Sequence, residues 1–362
     1  MTRGRERTLL WVAARATNRA LLTKAYGSSY LSEYRGLVER FERRPKTVLN
    51  EIWTSAAAEV GATVSGDWEN GFEFRLGPRR ARADQWETHL DPPEAVLRAL
   101  DKPLVTARLT EAGVAVPEQI SFLLRDSRKA AARLGQNLGR WVLKPSAGAS
   151  GMGVTCGLEQ PADLARGLAA AAAFGSEFVL ERQLAGDVYR FLVLDGKVLD
   201  VVRRDPSSVE GDGMSTIRDL IRAENRARVD AEGLRGNQLV QPDHDCLLAL
   251  RSQQMALASV PPAGGRYRVK HSNGDGGRLE THPIVLSTVS AELIGDVTRA
   301  VASVGLRLAG VDVVTPDLGN GLTAARGAIV DVNAPPGLHY HYLTANGVTP
   351  VAVRILECLL ED

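Results

Sequence analysis

The sequence predicts an α/β protein of several lobes, in which helices cover mixed and antiparallel sheets. Helix-like and strand-like hydrophobic patterns alternate along most of the 362 residues. A strand at Trp141–Leu143 runs into a loop rich in Gly, Ser and Ala, and a strand resumes at Val154. A late strand, Ala328–Val332, carries an acidic side chain and leads into an asparagine. A chain of this length can form two or three lobes that each bury a core.

The composition is typical of a water-soluble globular protein and excludes several partners. Hydrophobic residues make up 44% of the chain and charged residues 24%, and the net charge of +1 provides no overall field for nucleic acid or an anionic membrane. No apolar run is long enough to cross a bilayer. Cys156, Cys246 and Cys358 lie far apart without metal-ligand spacing. We therefore expect a cytoplasmic protein that contacts neither nucleic acid nor membrane.

The first half of the chain reads as helices separated by short strands. Residues 5 to about 45 are helical and basic; a pair of surface helices is favoured, and a docking arm for a partner is the alternative. Phe72–Leu76 alternates as a strand does, and Val114–Val116 is a short apolar strand. Glycine or proline limits most of the helices. These helices are predicted at Val48–Val60, Glu94–Leu100, from Asp101 to Gly113, and at Pro161–Phe174.

The second half contains most of the strands. Asp195-Gly196 predicts a hairpin turn, and helices are expected at Ser215–Arg226, at Ser290–Gly305 and at the C-terminus. Residues 227–262 are polar and are predicted to be irregular, with Asp243, His244 and Asp245 in a solvated loop. Strands are predicted at Phe178–Glu181, Gly186–Leu194, Lys197–Arg203, Tyr267–Lys270, Leu308–Val314 and Ala328–Val332.

The glycine-rich loop indicates a phosphate site. Its small residues let successive backbone N–H groups approach a phosphate chain, and Lys144 adds a positive charge at the end of the preceding strand. It is not a Walker A loop, because no Gly-Lys-Ser/Thr follows the glycines, nor a dinucleotide fingerprint, because it lies between two strands. An ordinary hairpin loop is the alternative.

Acidic and amide side chains near the C-terminus predict a site for a hard cation. Asp331 and Asn333 are two apart on one strand and therefore share a face, and Asp312 joins them if its strand is a neighbour. Two carboxylates and an amide oxygen suit Mg²⁺ that bridges phosphates. The alternative is a strand end where Asn333 begins a turn and Asp331 is exposed. His339 and His341 are interpreted as a pocket wall or surface and not as a zinc site.

Together these motifs resemble the ATP-grasp superfamily of carboxylate–amine ligases, and more narrowly the ATP-grasp module of cyanophycin synthetase and related amino-acid and peptide ligases. The resemblance covers about residues 50 to 345. Its motifs, in chain order, are Asp101-Lys102 with Ala112–Pro117, Leu143-Lys144-Pro145 with the glycine-rich loop, Leu180-Glu181 with Gly186–Arg190, Arg204 and Pro206 with Gly211–Gly213 and Thr216-Ile217, Ser259–Ala263, Asn273 with Gly276-Gly277, Gly310–Asp312, and Asp331–Gly337.

The resemblance implies a fold in which two sheet lobes hold a nucleotide between them. The expected divisions are an N-terminal helical extension (1–45), an N-terminal α/β lobe (46–100), a central lobe with the glycine-rich loop (101–184) and a C-terminal lobe with the magnesium site (185–362). ATP and Mg²⁺ are the implied cofactors, with Mn²⁺ as a substitute, and a homodimer is compatible with the family.

The resemblance also implies roles for individual residues. The implied roles in ATP binding are neutralisation of the phosphates by the lysines, recognition of adenine by the backbone around Gln183 and acceptance of hydrogen bonds from ribose by Asp187. The residues assigned to ATP are Lys102, Lys144, Ser150, Gly151, Glu181, Gln183, Leu184 and Asp187. Transfer of the phosphoryl group is assigned to Arg204, Arg268 and Lys270, and contact with the carboxylate substrate to Asn273. Mg²⁺ is assigned to Asp312, Asp331 and Asn333.

Three positions depart from the family pattern. Thr106 stands where relatives carry a lysine, Asp331 is one methylene shorter than the usual glutamate, and Asp187 stands one residue early, which leaves its ribose role open. The implied activity is ATP-dependent formation of an amide or peptide bond through an acyl phosphate, with an amino acid or peptide as substrate. The alternative is a non-catalytic nucleotide-binding module that docks a partner through its basic N-terminal helices.

Overall fold

The computed structural model describes residues 16–43, 46–136, 139–147, 151–231, 238–274, 277–323 and 326–361. The helices are α1 (16–26), α2 (Ser28–Glu42), α3 (Thr47–Val60), α4 (Pro93–Ala99), α5 (Lys102–Glu111), α6 (Ser127–Leu134), α7 (Pro161–Ala171), α8 (Ile217–Asp230), α9 (His244–Ser252), α10 (Ala291–Val304), α11 (His339–Tyr342) and α12 (Val351–Glu361). Within these ranges no helix is both long and apolar enough to span a membrane.

The strands are short and pair in antiparallel fashion. They are β1 (Thr63–Asp67), β2 (Gly71–Leu76), β3 (Arg79–Asp84), β4 (Glu87–Thr88), β5 (Gln119–Leu123), β6 (Trp141–Pro145), β7 (Thr155–Leu158), β8 (Glu177–Arg182), β9 (Asp187–Leu194), β10 (Lys197–Arg204), β11 (Ser208–Glu210), β12 (Arg266–Arg268), β13 (Thr281–Pro283), β14 (Leu308–Thr315) and β15 (Ala328–Asn333).

Two of the sheets form the two sides of a cleft. The central sheet has the strand order β5-β8-β6-β7, and the C-terminal sheet has the order β13-β10-β9-β14-β15. A separate N-terminal sheet has the order β1-β2-β3-β4, and β11 pairs with β12 alone. The strand pairs within these sheets are antiparallel. The prediction of antiparallel sheet lobes combined with helices is therefore confirmed.

Strand β9 shows why the C-terminal sheet lies at the centre of its lobe. Phe191 and Val193 pack into one core with α10, whereas Leu192 and Leu194 pack on the opposite face with α3 and α12. Successive side chains on a strand point to opposite faces, so a continuous apolar run is required where both faces are buried. The run Phe191–Leu194 meets that requirement, and helices cover the sheet on both sides.

The N-terminal helices pack against their own chain. Tyr26 and Tyr30 are buried beside Ile217 and Ile221 of α8, and the Tyr26 hydroxyl donates to the carbonyl of Asp243 at 3.0 Å. Buried tyrosines need a partner for the hydroxyl, which this carbonyl provides. Of the helical segment predicted over residues 5 to about 45, helices are present over 16–26 and Ser28–Glu42, and residues 5–15 lie outside the described residues. The apolar face of these helices is covered by α8.

Two predicted segments differ from the structure, and a third is confirmed. The region 227–262, predicted as irregular, contains the end of α8 and the whole of α9. Residues Val114–Val116 do not form a strand, and the next strand is β5. Val114 instead packs in the hydrophobic core beside β9 and α10. Phe72–Leu76 is a strand as predicted, but it is one of four in the N-terminal sheet.

His244 and Asp245 lie in the interior and not in a solvated loop. Asp243 caps α9 by accepting from the backbone N–H of Cys246 at 3.0 Å, which turns the next two side chains inward. Asp245 is fully buried and His244 nearly so. Burial lowers the pKa of His244 to about 4, against the opposing carboxylate of Asp163.

We expect the free energy of unfolding to fall as the pH decreases from the ordinary histidine pKa of about 6.5 towards 4. The unfolded imidazole binds a proton in this window that folded His244 excludes, so the unfolded state is favoured by acid. The shift corresponds to about 3 kcal/mol. Chemical denaturation at stepped pH should show a smaller loss for His244→Gln than for the wild-type chain. Parallel profiles for the two proteins would contradict the prediction.

Candidate active site

A cavity of about 550 Å³ lies between the central and C-terminal sheets. This volume falls within the range of about 300–1,000 Å³ typical of small-molecule sites. All but two of the residues predicted to bind ligand line it. These lining residues are Lys102, Gly151, Lys144, Glu181, Gln183, Leu184, Asp187, Arg204, Arg268, Asn273, Asp312, Asp331 and Asn333. The two others are Ser150, which lies outside the described residues, and Lys270.

Lys144 and Glu181 form the central lobe's contribution to the cavity floor. They stand on paired strands β6 and β8, and the Lys144 Nζ lies 2.6 Å from a Glu181 carboxylate oxygen. Nζ also donates to the carbonyl of Val330 at 3.1 Å, so it reaches across to the C-terminal lobe. Burial lowers the pKa of Lys144, but the carboxylates of Glu181 and Asp331 outweigh it and raise the pKa overall. Lys144 is therefore a fixed cation at the seam between the lobes.

Lys102 is positioned by the start of α5. The side chain of Asp101 accepts from the backbone N–H of Leu104 at 3.1 Å and so caps the helix. The next residue, Lys102, enters the cavity, where its Nζ lies 2.8 Å from a carboxylate oxygen of Asp331. A second lysine thus faces the cavity from the junction of α4 and α5.

The acid and amide side chains are brought together by strand register. Asp312 of β14 lies opposite Asp331 of β15, as the sequence predicted if the strands were neighbours. Asn333 donates from its amide to a carboxylate oxygen of Asp312 at 3.3 Å. Asp312 also receives two hydrogen bonds from Arg190, at 2.7 and 2.9 Å. Burial raises the pKa of Asp312, but the guanidinium groups of Arg190 and Arg204 outweigh it and lower the pKa.

The side chains of Asp312, Asp331 and Asn333 offer oxygen atoms, which are the ligands that a hard divalent cation prefers. Asp312 and Asp331 supply carboxylate oxygens, and the Asn333 amide nitrogen donates to Asp312, which leaves the Asn333 amide oxygen as the ligating atom. Across the described ranges no group of three His, Cys, Asp or Glu side chains is arranged to hold a metal. The set therefore supplies two carboxylates and one amide oxygen, a number suited to an ion whose remaining ligands are phosphate or water oxygens.

Arg204 links the acid cluster to the far wall of the cavity. It donates to the carbonyl of Asn273 at 2.7 Å, and the Asn273 amide donates back to the carbonyl of Arg204. Its guanidinium lies 3.9 Å from the centre of the Tyr340 ring, a stacking distance that favours a cation. Arg268 lines the cavity from the exposed strand β12. Arg204 and Arg268 are thus two of the arginines that line the cavity.

The hinge segment after β8 is held by its own hydrogen bonds. The Gln183 side-chain oxygen accepts from the backbone N–H of Gly157 at 2.7 Å, and the Gln183 N–H donates to the carbonyl of Arg140 at 3.0 Å. The side chain is therefore occupied in tying β7 to the hinge. Asp187, at the start of β9, is exposed and lies 4.0 Å from Arg203.

Lys270 lies apart from the other predicted residues. It is 2% exposed, and its Nζ contacts carboxylate oxygens of Asp243 and Asp245. The sequence predicted a strand face shared by Arg268 and Lys270, but β12 ends at Arg268, so the alternation of side chains does not continue to Lys270. Its ammonium is turned into the protein and away from the cavity lining.

Arg190 and Trp86 line the cavity, although sequence reasoning assigned no ligand-binding role to either. Tyr340 also lines it, in the segment His339–Tyr342 that was expected to form part of the pocket wall. The ring centre of His339 lies 4.0 Å from that of Tyr340 and 5.6 Å from that of Trp86. Burial holds the pKa of His339 well below its usual value, with the cations Arg204 and Arg190 acting in the same direction. The pairing of Arg190 with Asp312 required the three-dimensional register and had no local sequence signal.

The chain is similar in sequence to cyanophycin synthetases and to glutathione biosynthesis bifunctional proteins. No family model matches the chain. Cyanophycin synthetase of Geminocystis herdmanii is 32% identical over 274 residues, which are 73% of this chain and 30% of that protein. The glutathione biosynthesis bifunctional protein of Listeria welshimeri is 26% identical over 323 residues, 86% of this chain and 40% of that protein. The chain thus spans about a third of the length of the cyanophycin synthetases it matches.

The fold is shared with a solved structure. A bifunctional glutathione synthetase from Pasteurella multocida superposes with a TM-score of 0.55 at 20% sequence identity, over 89% of this chain and 44% of that one. This likeness concerns the fold. Each of the three matches extends over most of this chain and over less than half of the other protein.

Proposed function

Because this chain belongs with the ATP-grasp carboxylate–amine ligases, we propose that it uses ATP to activate a carboxylate as an acyl phosphate, which an amine then attacks to form an amide bond. The observation that carries the proposal is the cavity between the two sheet lobes, in which two lysines face an acid and amide cluster. An amino acid or peptide is the proposed substrate. ATP, Mg²⁺ and a homodimeric state belong to the same proposal, and Mn²⁺ is expected to substitute for Mg²⁺.

The two lysines are assigned to the nucleotide phosphates. Lys144 is buried and fixed by Glu181, and Lys102 projects from the first turn of α5. Fixed cations in a cavity sheltered from water interact strongly with an anionic ligand and need no reorganisation when charge moves during reaction. Gln183 and Leu184 are assigned to adenine through their backbone, and Asp187 to ribose because it is exposed at the cavity edge.

The acid and amide cluster is assigned to magnesium. Asp312, Asp331 and Asn333 would hold Mg²⁺, which when bound would neutralise phosphate charge and orient the phosphoryl group to be transferred. The chain's own cations complete the arrangement. Arg204 is held between Tyr340 and Asn273, so its guanidinium keeps a fixed direction at the point where the acyl phosphate would form.

The proposed reaction has two steps, and neither requires an oxidant or a reductant. A substrate carboxylate oxygen bonds to the terminal phosphorus of ATP, and the bond to the bridging oxygen breaks to release ADP. The amine nitrogen then bonds to the acyl carbon, phosphate leaves, and the amine gives up a proton. Arg204, Arg268 and Asn273 are assigned to orienting the carboxylate and the transferred group. Lys270, buried against Asp243 and Asp245, is assigned a structural role in place of a catalytic one.

We expect the nucleotide product to be ADP and not AMP. Attack at the terminal phosphate releases ADP, whereas adenylation releases AMP and pyrophosphate. The purified chain should be incubated with ATP, Mg²⁺ and panels of amino acids and short peptides, and the nucleotides separated by chromatography. Hydroxylamine added with the carboxylate alone should trap a hydroxamate of the acyl phosphate.

Two results would contradict the proposed reaction. AMP as the main product would exclude the acyl phosphate, and ATP binding without turnover over the whole panel would favour the non-catalytic module. That module was expected to dock a partner through the N-terminal helices. The apolar face of these helices is already packed on α8, as Tyr26 and Tyr30 show, so no specific observation favours it.

A further inference from the structure

A buried carboxylate beneath the cavity wall has no part in the function proposed above. Asp245, in the first turn of α9, is fully buried and does not line the cavity. One of its oxygens accepts from the backbone N–H of Cys156 at 2.9 Å. The other accepts, each at 3.0 Å, from the backbone N–H of His271 and from both the N–H and the hydroxyl of Ser272. Four donors therefore converge on this one side chain.

A buried ammonium group completes the surroundings of this carboxylate. Lys270 Nζ lies 3.7 Å from Asp245 and also contacts Asp243. Burial raises the pKa of Asp245, but the ammonium of Lys270 and the amide donors of Ser272 and Cys156 outweigh it and lower the pKa. Asp245 is thus held as an anion in the interior, which is tolerated only because charge and hydrogen bonds compensate it.

The donors belong to two separate segments of the cavity wall. Cys156 lies on β7, the strand that leads away from the glycine-rich loop, and residues 271–274 form the wall next to Arg204. The segments also touch directly. A β-carbon added at Gly151 would lie 3.2 Å from the Cα of Gly274, and one added at Gly157 would lie 3.1 Å from the His271 ring. Both glycines have positive φ, so neither contact tolerates a larger residue.

We propose that Asp245 is a positioning residue that holds the end of the glycine-rich loop and the 271–274 segment at the spacing that fits the nucleotide phosphates. It acts through Cys156 and Ser272 and does not touch the nucleotide. The 271–274 segment is in turn bonded to Arg204 through Asn273, so the same anchor fixes the direction of that guanidinium. This inference rests on the proposed use of ATP.

The site requires a side chain at residue 245 whose two oxygen atoms both accept hydrogen bonds, and size alone is not sufficient. A carboxylate can accept from all four donors, whereas an asparagine amide turns an NH₂ group towards at least one of them. Asp245→Asn therefore keeps the volume but breaks one side of the link, either to β7 or to the 271–274 segment. Lys270 would then keep Asp243 as its anionic contact.

The test is calorimetric affinity for a non-hydrolysable ATP analogue in the presence of Mg²⁺, with KM and kcat for ATP measured on the same proteins. For Asp245→Asn we expect analogue binding about tenfold weaker, with a rise in KM for ATP larger than the fall in kcat. The matched control is Asp163→Asn. Asp163 is also a buried carboxylate and accepts from Arg251 of α9 at 2.8 and 3.0 Å and from the backbone N–H of Glu159 at 3.3 Å, but neither Asp163 nor these two donors line the cavity.

The control variant should lower the melting temperature and leave analogue affinity at the wild-type value. Wild-type affinity in folded Asp245→Asn would overturn the inference, as would equal losses of affinity in both variants. If Asp245→Asn does not fold, Ser272→Ala decides, since it removes one donor and keeps the backbone; about threefold weaker binding is expected, and unchanged binding overturns the inference. A wild-type chain that binds no analogue would instead overturn the proposed function itself.

Discussion

Asp331→Asn is expected to leave the fold intact and to lower ATP turnover at least about a hundredfold. Asp331 stands on β15 opposite Asp312, half-exposed at the cavity, so the amide replaces the carboxylate without filling or emptying any core space. The variant removes one of the two anionic oxygens assigned to Mg²⁺ and leaves an amide that binds a hard cation weakly. Turnover should be measured over a range of Mg²⁺ concentrations beside a melting curve.

The matched control for this variant is Asp317→Asn. Asp317 follows the neighbouring strand β14 and accepts from the N–H of Gly319 at 2.7 Å, but it lies outside the cavity lining. Its replacement should leave turnover unchanged. Full activity of Asp331→Asn at saturating Mg²⁺ would remove Asp331 from the site.

The effect of losing the contact with Lys102 must be distinguished from the effect of losing a metal ligand, because Lys102 Nζ lies 2.8 Å from Asp331. A role of Asp331 that consisted only in orienting Lys102 would give Lys102→Met and Asp331→Asn the same dependence on Mg²⁺. A metal role predicts that only Asp331→Asn requires more Mg²⁺ for half-maximal turnover. Comparison of the two titrations therefore assigns the function of the carboxylate.

Local signals in the sequence were sufficient for those elements whose boundaries depend on neighbouring residues. The helix predicted between Ser290 and Gly305 is α10, in which the Ser290 side chain caps the first turn and Gly305 ends the helix at a φ of 84°. The strands β14 and β15 follow from apolar runs interrupted by polar residues on one face. Caps and alternation act within a few residues, so they can be identified before the fold is known.

Pairings between distant segments could not be predicted from such signals. Arg190 and Asp312 are 122 residues apart, and their contact depends on the register of β9 with β14. Helix α9 was missed for a related reason: its buried first turn presents His244 and Asp245 inward, so hydrophobic periodicity gives no indication of which face is covered. Polar residues in the interior are identified only from partners that the chain supplies elsewhere.

Short motifs carry most of the side chains that line the cavity. Lys144 and Asp331 each stand at or near the end of a strand, where a side chain can reach the cleft and the backbone is already fixed. Lys270 shows the limit of this reasoning. Strand alternation placed it beside Arg268, but the strand ends first and the side chain turns to Asp243.

Lys144→Met is expected to weaken ATP binding by about ten- to a hundredfold. The ammonium lies at the seam of the two lobes, 2.6 Å from Glu181 and within reach of the space assigned to the phosphates. Removal of the charge takes away one strong contact with an anionic ligand. It also leaves Glu181 buried without this cation, which is expected to cost up to about 3–5 kcal/mol of folding stability. Affinity and stability therefore fall together in this variant.

The double variant Lys144→Met/Glu181→Gln separates the two effects. Replacement of a buried ion pair by neutral residues of similar size is often nearly neutral for stability, so the melting temperature should recover towards the wild-type value. ATP affinity should not recover, because no cation remains at this position. Calorimetry and thermal melts on the single variants and the double variant give a complete cycle. If affinity recovers with stability, Lys144 acts only by holding Glu181 and the lobe seam, and its assignment to the phosphates is wrong.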